Sequence, residues 1–231
     1  MKKRIIAALA VLCLAVAAGA YAAAKEFHVM PGQYDPGKSS LVQAAWLKGI
    51  GCPTSQNYSD YFTGTTNYMD TGCPTGDAKD KKNTGLVLVK TGPTFNNAAA
   101  VADIKDVKGM TLTELGYDIR TGSHCGAGAP RFDITTTAGS YFLGCSSRPP
   151  TSTPAASPGW KRLRWGSGGT VMAYNASTYN LEPVAGTLKS LQIVFDEAQD
   201  AAGGGDGIGS AILDNIDVNG TLTGRGDTDA D

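Results

Sequence analysis

One group of charged and aromatic side chains has residue types and spacing suited to sugar binding. On the non-core faces of three predicted strands lie arginines and a carboxylate, with a tryptophan at each end of the last strand; the set is Asp118, Arg120, Arg131, Arg162, Arg164, Trp160 and Trp165. Guanidinium and carboxylate groups form planar hydrogen bonds, and aromatic rings stack on apolar ring faces. We interpret the set as a candidate glycan-binding face. The alternative is a solvated face with cross-strand ion pairs, each of which contributes little to stability.

A second group suits a metal ion. In the closing segment, 210–218, Asp214 alternates in phase with the apolar residues Ile212, Ile216 and Val218. A carboxylate that points toward a core must accept hydrogen bonds or bind a cation, and hard oxygen donors suit calcium. We therefore predict a structural calcium site whose ligands come from Asp214, Asn215 and Asp196. The alternatives are that Asp214 ties down a nearby backbone loop, or that a bulge turns it outward.

Catalytic chemistry has weaker support in the sequence. No G-x-S-x-G or H-E-x-x-H motif is present. Glu114 and Asp118 share a strand face, but their spacing places them about 13 Å apart along the strand. The carboxylates of glycosidases lie roughly 5–9.5 Å apart. No catalytic residue is assigned, and a glycan hydrolase or lyase is kept only as a third hypothesis.

Short strands with period-two alternation must position these side chains. Between Thr111 and Cys145 we predict a meander of three strands, with core-facing residues Leu115, Tyr117, Ile119, Phe132, Ile134, Tyr141 and Leu143. Further strands are predicted at 86–90, 98–107, 160–165, 187–197 and 210–218. Many short strands joined by glycine-rich turns indicate an all-β protein, an antiparallel β-sandwich of jelly-roll type.

One helix is expected in addition. Ser39 and Ser40 precede an apolar stretch from Leu41 to Leu47, which Gly49 follows. Serine is favoured as a helix N-cap and glycine just beyond a helix end. The pattern predicts one short N-terminal helix.

Residues 1–24 have the features of a secretory signal peptide. Three basic residues at positions 2–4 precede an apolar run at 5–18, and small residues offer cleavage near Ala22 or Ala24. The apolar run is shorter than the roughly 20 residues of a membrane span. We therefore expect a secreted or periplasmic protein with no membrane insertion after cleavage.

The charge balance of the exported chain argues against a nucleic-acid partner. Three of the 20 basic residues lie in the leader, against 21 acidic residues in all, so the net charge after cleavage is about −4. A nucleic-acid-binding domain normally carries a basic stripe.

Four cysteines remain after cleavage, and in an exported chain an even number indicates disulfides. Three pairings are possible. Sequence neighbourhood favours Cys52–Cys73 and Cys125–Cys145, each closing a loop of about 20 residues and worth about 3 kcal/mol in the chain-entropy model. A zinc site is disfavoured, because no C-x-x-C spacing occurs and only two histidines are present.

We expect one main domain with additions at both ends. Residues 25–85 are predicted as a disulfide-stapled extension packed on the sandwich, 86–220 as the sandwich itself, and 221–231 as a disordered acidic tail. Between Cys52 and Cys73 lies an aromatic-rich loop with Tyr58, Tyr61, Phe62 and Tyr68. These rings either pack over a sheet edge or form a sugar-stacking surface.

The C-terminal half carries a resemblance to a known family. The stretch I-L-D-N-I-D-V-N-G at 212–220, after a strand ending I-V-F-D-E at 193–197 and a glycine-rich hairpin, resembles the closing strand pair of jelly-roll carbohydrate-binding-like domains of secreted bacterial proteins. The resemblance implies a ligand held by the concave sheet face or by loops, and structural calcium at Asp214 and Asn215. The leading hypothesis is a secreted, non-catalytic module that binds polysaccharide or surface glycan. The alternative is an extracellular protein–protein or matrix interaction domain that uses the Cys52–Cys73 loop.

Overall fold

The computed structural model describes residues 26–52, 76–80, 82–92, 98–126, 128–145, 151–153, 159–167, 169–196 and 209–226. The predicted signal peptide, the aromatic-rich loop and Cys73 lie outside the described residues. No helix among the described residues is long and apolar enough to cross a membrane.

The described chain folds into β-strands. In chain order they are β1 (His28–Tyr34), β2 (Val42–Leu47), β3 (Gly85–Lys90), β4 (Ala99–Lys105), β5 (Leu115–Arg120), β6 (Arg131–Thr136), β7 (Ser140–Gly144), β8 (Thr151–Thr153), β9 (Trp160–Trp165), β10 (Met172–Asn175), β11 (Leu181–Pro183), β12 (Leu188–Phe195), β13 (Gly209–Val218) and β14 (Thr221–Thr223).

These strands form two antiparallel sheets. Sheet A has the order β1-β4-β12-β6-β7-β10-β11, and sheet B has the order β2-β3-β13-β5-β9-β8, with β14 paired to β13. Consecutive strands often lie in opposite sheets, as β3, β4, β5 and β6 alternate between sheet B and sheet A. Strands from later in the chain lie between them: β12 separates β4 from β6 in sheet A, and β13 separates β3 from β5 in sheet B. The predicted antiparallel β-sandwich is confirmed.

The core lies between the two sheets and is built from alternate residues of each strand. Tyr117 from sheet B and Phe132 from sheet A meet at its centre, with ring centroids 5.5 Å apart, and neither is exposed. The predicted core-facing residues of β5, β6 and β7 are all buried in this cluster. Period-two alternation therefore identified the inner faces of these strands correctly.

The predicted three-strand meander is wrong in its pairing. β6 pairs with β7 in sheet A, whereas β5 belongs to sheet B, between β13 and β9. Periodicity reports which side of a strand is apolar but not which strand lies beside it. The chain between β5 and β6 therefore crosses from one sheet to the other.

The predicted N-terminal helix is also wrong, because its residues form strand β2. Val42 is buried and Ala44 and Trp46 pack against the core, which is a period-two pattern. The Trp46 Nε1–H donates to the carbonyl of Val29 at 2.8 Å, which links β2 to β1 across the sandwich. Ser39 and Ser40 do not cap a helix; their backbone N–H groups donate to the carboxylate of Asp35 in a turn.

One of the two predicted disulfides lies within the described residues. Cys125 and Cys145 are bonded, with their Cα atoms 5.5 Å apart, which ties the β5–β6 connection to the end of β7. The Cys52–Cys73 bond stays a prediction, because Cys73 lies outside the described residues.

Segments from both ends of the chain contribute strands. β1 pairs with β4 at one edge of sheet A, and β2 pairs with β3 at one edge of sheet B. Near the C-terminus, β14 pairs with β13. The described parts of the predicted extension and tail are thus hydrogen-bonded into the sheets.

Candidate functional site

The outer face of sheet B, which points away from the core, carries a buried ion-pair network. Arg162 on β9 lies opposite Asp118 on β5, and its Nε–H and Nη2–H donate to the two carboxylate oxygens at 2.8 Å each. Asp118 is fully buried. Desolvation raises the pKa of Asp118, while Arg162 and Arg164 oppose the rise. Both charges therefore neutralise each other within the protein instead of facing solvent.

A second pair in this network crosses a strand. Arg164 on β9 lies opposite Gly116 on β5, and Gly116 lies opposite Asp217 on β13. The Nε of Arg164 lies 2.8 Å from the Oδ2 of Asp217. A Cβ at position 116 would lie 2.4 Å from the Cδ of Arg164 and 2.5 Å from the carbonyl oxygen of Leu163. Because Gly116 has no side chain, the side chain of Arg164 can cross over β5 and reach Asp217.

Asp217 belongs to a pair of acids. Desolvation, a hydrogen bond with Glu114 and the charge of Glu114 raise the pKa of Asp217 to about 7, against the opposing charge of Arg164. A carboxyl group that is buried beside a second one ionises less readily, so Asp217 retains its proton to higher pH. The pair makes sheet B sensitive to pH near neutrality.

Asp214 does not point into the core as predicted, because β13 is bulged. The register of β13 against β5 shifts between Asp214 and Asp217, and Asn215 has a φ of 46°. This shift puts Asp214 on the outer face, where its Oδ2 accepts the N–H of Cys52 at 2.5 Å and its Oδ1 accepts the N–H of Asn215 at 2.6 Å. The interpretation that Asp214 ties down a nearby backbone loop fits these contacts.

The three predicted calcium ligands do not converge. Asn215 lies beside Asp214, where its Nδ2–H donates to Asp118 at 2.8 Å and its Oδ1 accepts the N–H of Asp77 at 3.1 Å. Asp196 follows β12 in the other sheet and pairs with Arg131. Among the residues that the structure describes, no group of three or more His, Cys, Asp or Glu side chains could hold a metal ion.

The two predicted stacking tryptophans are both buried. Trp165 points into the core, where its ring lies 5.4 Å from that of Tyr117 and it is 3% exposed. Trp160 lies on the outer face of sheet B but is only 4% exposed, in a cluster with Cys52 and Ile212. Neither ring presents a face to a ligand in this conformation.

The remaining predicted ligand residues are divided between the two sides of the sandwich. Arg120 ends β5 and is exposed, whereas Arg131 begins β6 in sheet A. The structure therefore brings Asp118, Arg162 and Arg164 together, with Asp214 and Asn215 beside them, in a buried network. It does not bring Arg131 or Trp165 to the same surface.

The outer face of sheet A contains a groove of about 540 Å³, and it is the strongest candidate for a binding site. The groove crosses β4, β12, β6 and β7. One cross-strand row runs through it, because Asp103 pairs with Gln192, Gln192 with Asp133, and Asp133 with Phe142. The register continues from Phe142 to Tyr174 on β10 and from Asp103 to Met30 on β1.

Hydrogen bonds hold the polar members of this row in place. Asp103 accepts from Gln192 at 3.0 Å and from Lys105 at 2.7 Å. Asp133 accepts from the Nε–H of Arg131 at 2.8 Å. The Oδ2 of Asp133 and the Oε1 of Gln192 have no hydrogen-bond partner among the described residues, and both side chains are partly exposed. These oxygens are therefore candidate acceptors for a ligand.

Arg131 is the residue that organises the apolar end of the row. Its Nη1–H and Nη2–H donate to the two oxygens of Asp196 at 2.6 and 2.8 Å, and its Cζ lies 5.8 Å from the ring centroid of Phe142. Bidentate pairing fixes the guanidinium plane. A fixed guanidinium orients both Asp133 and the half-buried Phe142, so the site is preorganised.

The period-two alternation of the sequence could have indicated that these groove residues lie on outer strand faces. Asp133 and Phe142 fall on the non-core face of strands whose core-facing residues were predicted correctly, and Asp103 and Gln192 lie on the strands predicted at 98–107 and 187–197. What the sequence lacked was the strand order, since these residues come from four strands distant along the chain. Only the register places them in one row.

A second depression of about 240 Å³ lies near the start of β1, between residues 76–80 and β14. Its charged walls are paired with each other: Lys79 with Glu26, and Arg225 with Asp77 at 3.4 Å. Because these charged side chains already pair with each other, this depression is a weaker candidate for a ligand-binding site than the groove of sheet A.

Comparison with known proteins finds a solved structure that aligns with this chain. No family model matches the chain, and no curated protein matches its sequence. A family 11 carbohydrate-binding module from Clostridium thermocellum, solved in complex with a β-1,3-1,4-mixed-linked tetrasaccharide, aligns with a TM-score of 0.38 and 11% identity. The alignment covers 84% of this chain and 90% of that one.

Proposed function

We propose that this chain is a secreted, non-catalytic module that binds a polysaccharide or surface glycan in the groove of sheet A. The observation that carries the proposal is the row from Asp103 through Gln192 and Asp133 to Phe142. It places candidate oxygen acceptors beside a half-buried aromatic ring on one sheet face. Sugar hydroxyls donate to such acceptors, and the apolar face of a sugar packs on such a ring.

The dimensions of the row suit an extended ligand. From Met30 on β1 to Tyr174 on β10 the row crosses six strands, which at about 4.8 Å per strand step gives roughly 24 Å. A surface of that length along one sheet face favours a chain of several sugar units over a single small molecule.

Sheet B supports a different role. Its arginines and carboxylates are paired with each other and buried. A ligand would have to break these pairs and leave charges uncompensated, which is strongly unfavourable. We therefore assign the network a structural role and the groove the binding role. Jelly-roll connectivity, the signal peptide and export are further parts of the proposal.

Binding is tested with the full chain, expressed with its own leader, by affinity electrophoresis in gels that contain neutral or acidic polysaccharides. We expect retardation in at least one of them without release of reducing sugar. Phe142→Ala should remove the retardation. Leu47→Ala is the matched control, because Leu47 is 47% exposed on sheet B, and it should bind as the original chain does.

Three results would overturn this proposal. Retention of binding by Phe142→Ala would move the site away from the groove. Absence of binding to every polysaccharide would favour the alternative of a protein or matrix partner, and release of sugar would favour a hydrolase or lyase.

Calcium stabilisation stays a separate proposal, at Asp214 and Asn215. Their oxygens already accept backbone N–H groups, so a bound ion would compete with these contacts. The test is the melting temperature in calcium and in chelator. A rise of several degrees in calcium that Asn215→Ala removes would support the proposal, and equal melting temperatures would reject it.

A further inference from the structure

The charges that line the groove are not all paired. Each of its carboxylates has a partner: Asp103 bonds with Lys105 at 2.7 Å, Asp133 with Arg131 at 2.8 Å, and Asp106 with the Nδ1 of His28 at 2.8 Å. Two further cations line the groove, Lys108 and Lys189. Neither has an ion-pair or hydrogen-bond partner for its ammonium group among the described residues. Because Arg131 is shared between Asp133 and Asp196, the charged groups of the groove taken together have no excess of positive charge. Lys108 and Lys189 are its unpaired cations, and their effect is local.

The backbone brings these two lysines to the same end of the groove. The N–H of Gly109 donates to the carbonyl of Leu188 at 2.8 Å, and the N–H of Leu188 donates to the carbonyl of Met110 at 2.8 Å. Lys108 and Lys189 directly adjoin these bonded residues. Both side chains are exposed.

A bulge in β12 is responsible for the position of Lys189. Leu188 pairs with Thr136 and Ser190 pairs with Thr135, so Lys189 is the extra residue between two consecutive pairs. Leu188 and Leu191 on either side are buried, whereas Lys189 and Ser190 are both exposed. A bulge of this kind re-aims a side chain, and here it places a cation at the groove rim.

A row of hydroxyl groups lines the same end of the groove. Ser190 pairs with Thr135, and Thr135 pairs with Ser140, which makes a row of three hydroxyl side chains across β12, β6 and β7. All three line the groove, and none of these hydroxyls bonds to another described residue. Hydroxyl donors beside ammonium groups suit an anionic oxygen.

We propose that the groove selects an acidic polysaccharide and that Lys108 and Lys189 bind its carboxylate groups. This inference rests on the proposed function of the groove as a glycan site. The formal charge after removal of the predicted leader is about −4, but the Debye length of about 8 Å at physiological ionic strength confines the effect of distant charges. The local cations therefore decide which glycan is favoured.

The test compares each acidic polysaccharide with its own neutral form. The full chain is titrated with polygalacturonate and with alginate, and in parallel with the carboxyl-reduced form of each. We expect binding of at least one acidic form several-fold tighter than that of its reduced form. The double variant Lys108→Gln/Lys189→Gln should lower the affinity for the acidic form about three- to tenfold, as expected for two exposed ion pairs, and leave the reduced form unaffected.

Lys161→Gln serves as the matched control, because Lys161 is exposed on β9 in the other sheet. It should keep the preference for the acidic form. Equal binding of the acidic and reduced forms, or a preference that survives in the double variant, overturns the inference but leaves glycan binding in place. Absence of binding to all four polymers, and to the neutral and acidic polysaccharides used for electrophoresis, overturns the proposed function together with it.

Discussion

Arg164 reaches Asp217 by passing over Gly116, with 2.8 Å between its Nε and the Oδ2 of the aspartate. The three residues lie side by side on β9, β5 and β13, so one ion pair joins two strands that are not hydrogen-bonded to each other. The contact depends on the absence of a side chain in the middle strand. Sheet B is thus held together by side chains as well as by its backbone ladder.

Gly116→Ala should lower the free energy of unfolding. The new methyl group would overlap the Cδ of Arg164 and a backbone oxygen, and overpacking of this kind costs about 1–3 kcal/mol. The measurement is urea unfolding followed by circular dichroism. Gly32→Ala in strand β1 is the control, since its methyl group would meet only Val101 at 3.5 Å. Equal stability of the two variants would show that Arg164 does not occupy this path.

Arg162→Ala should destabilise the protein far more than Lys105→Ala. Arg162 is the bidentate partner of the fully buried Asp118, and removing one member of a buried pair costs about 3–5 kcal/mol. Lys105 pairs with Asp103 at a surface where both side chains are nearly half exposed, and such a pair contributes at most about 1 kcal/mol. Thermal unfolding of both variants measures the difference. Similar losses would contradict the assignment of sheet B as the structural side.

Stability should fall as the pH rises toward neutrality. The pKa of Asp217 is about 7 in the folded protein against an ordinary value of 3.8, so the folded state binds the proton more tightly. Its contribution to stability is complete below about pH 4 and is lost as the pH rises through about 7. Asp118 and Asp214 have pKa values raised by burial and act in the same direction.

Asp217→Asn and Glu114→Gln should each make the pH profile of the unfolding free energy flatter between pH 4 and 8. The amide cannot titrate, and the loss of the Glu114 charge lowers the pKa of Asp217. Glu182→Gln, on β11 in sheet A, should keep the original slope. An unchanged slope in both sheet B variants would refute the coupling between the two acids.

The sequence predicted the inner faces of the sandwich because burial requires only local alternation. Leu115, Tyr117, Phe132 and Ile134 could be assigned to the core from period two alone. The helix at β2 failed because alanine-rich alternation over six residues satisfies both periods. Packing of Trp46 against the core and its bond to Val29, which are tertiary contacts, decide in favour of the strand.

The site could not be predicted for a related reason. The bulge at Asn215 reverses the facing of Asp214, and one extra residue in a strand is invisible to a pattern count. The arginines of β9 were correctly placed on the outer face, but their burial depends on what packs over that face. The groove residues were present on four separate strands, and only the pairing order brings them together.

The most direct test of the groove as the binding face is amide hydrogen–deuterium exchange of the full chain with and without a bound polysaccharide. We expect slower exchange on β4, β12, β6 and β7 and little change on β5, β9 and β13. Phe142→Ala, under the same conditions, should abolish the difference. Protection confined to β5, β9 and β13 would place the ligand on sheet B and contradict the account.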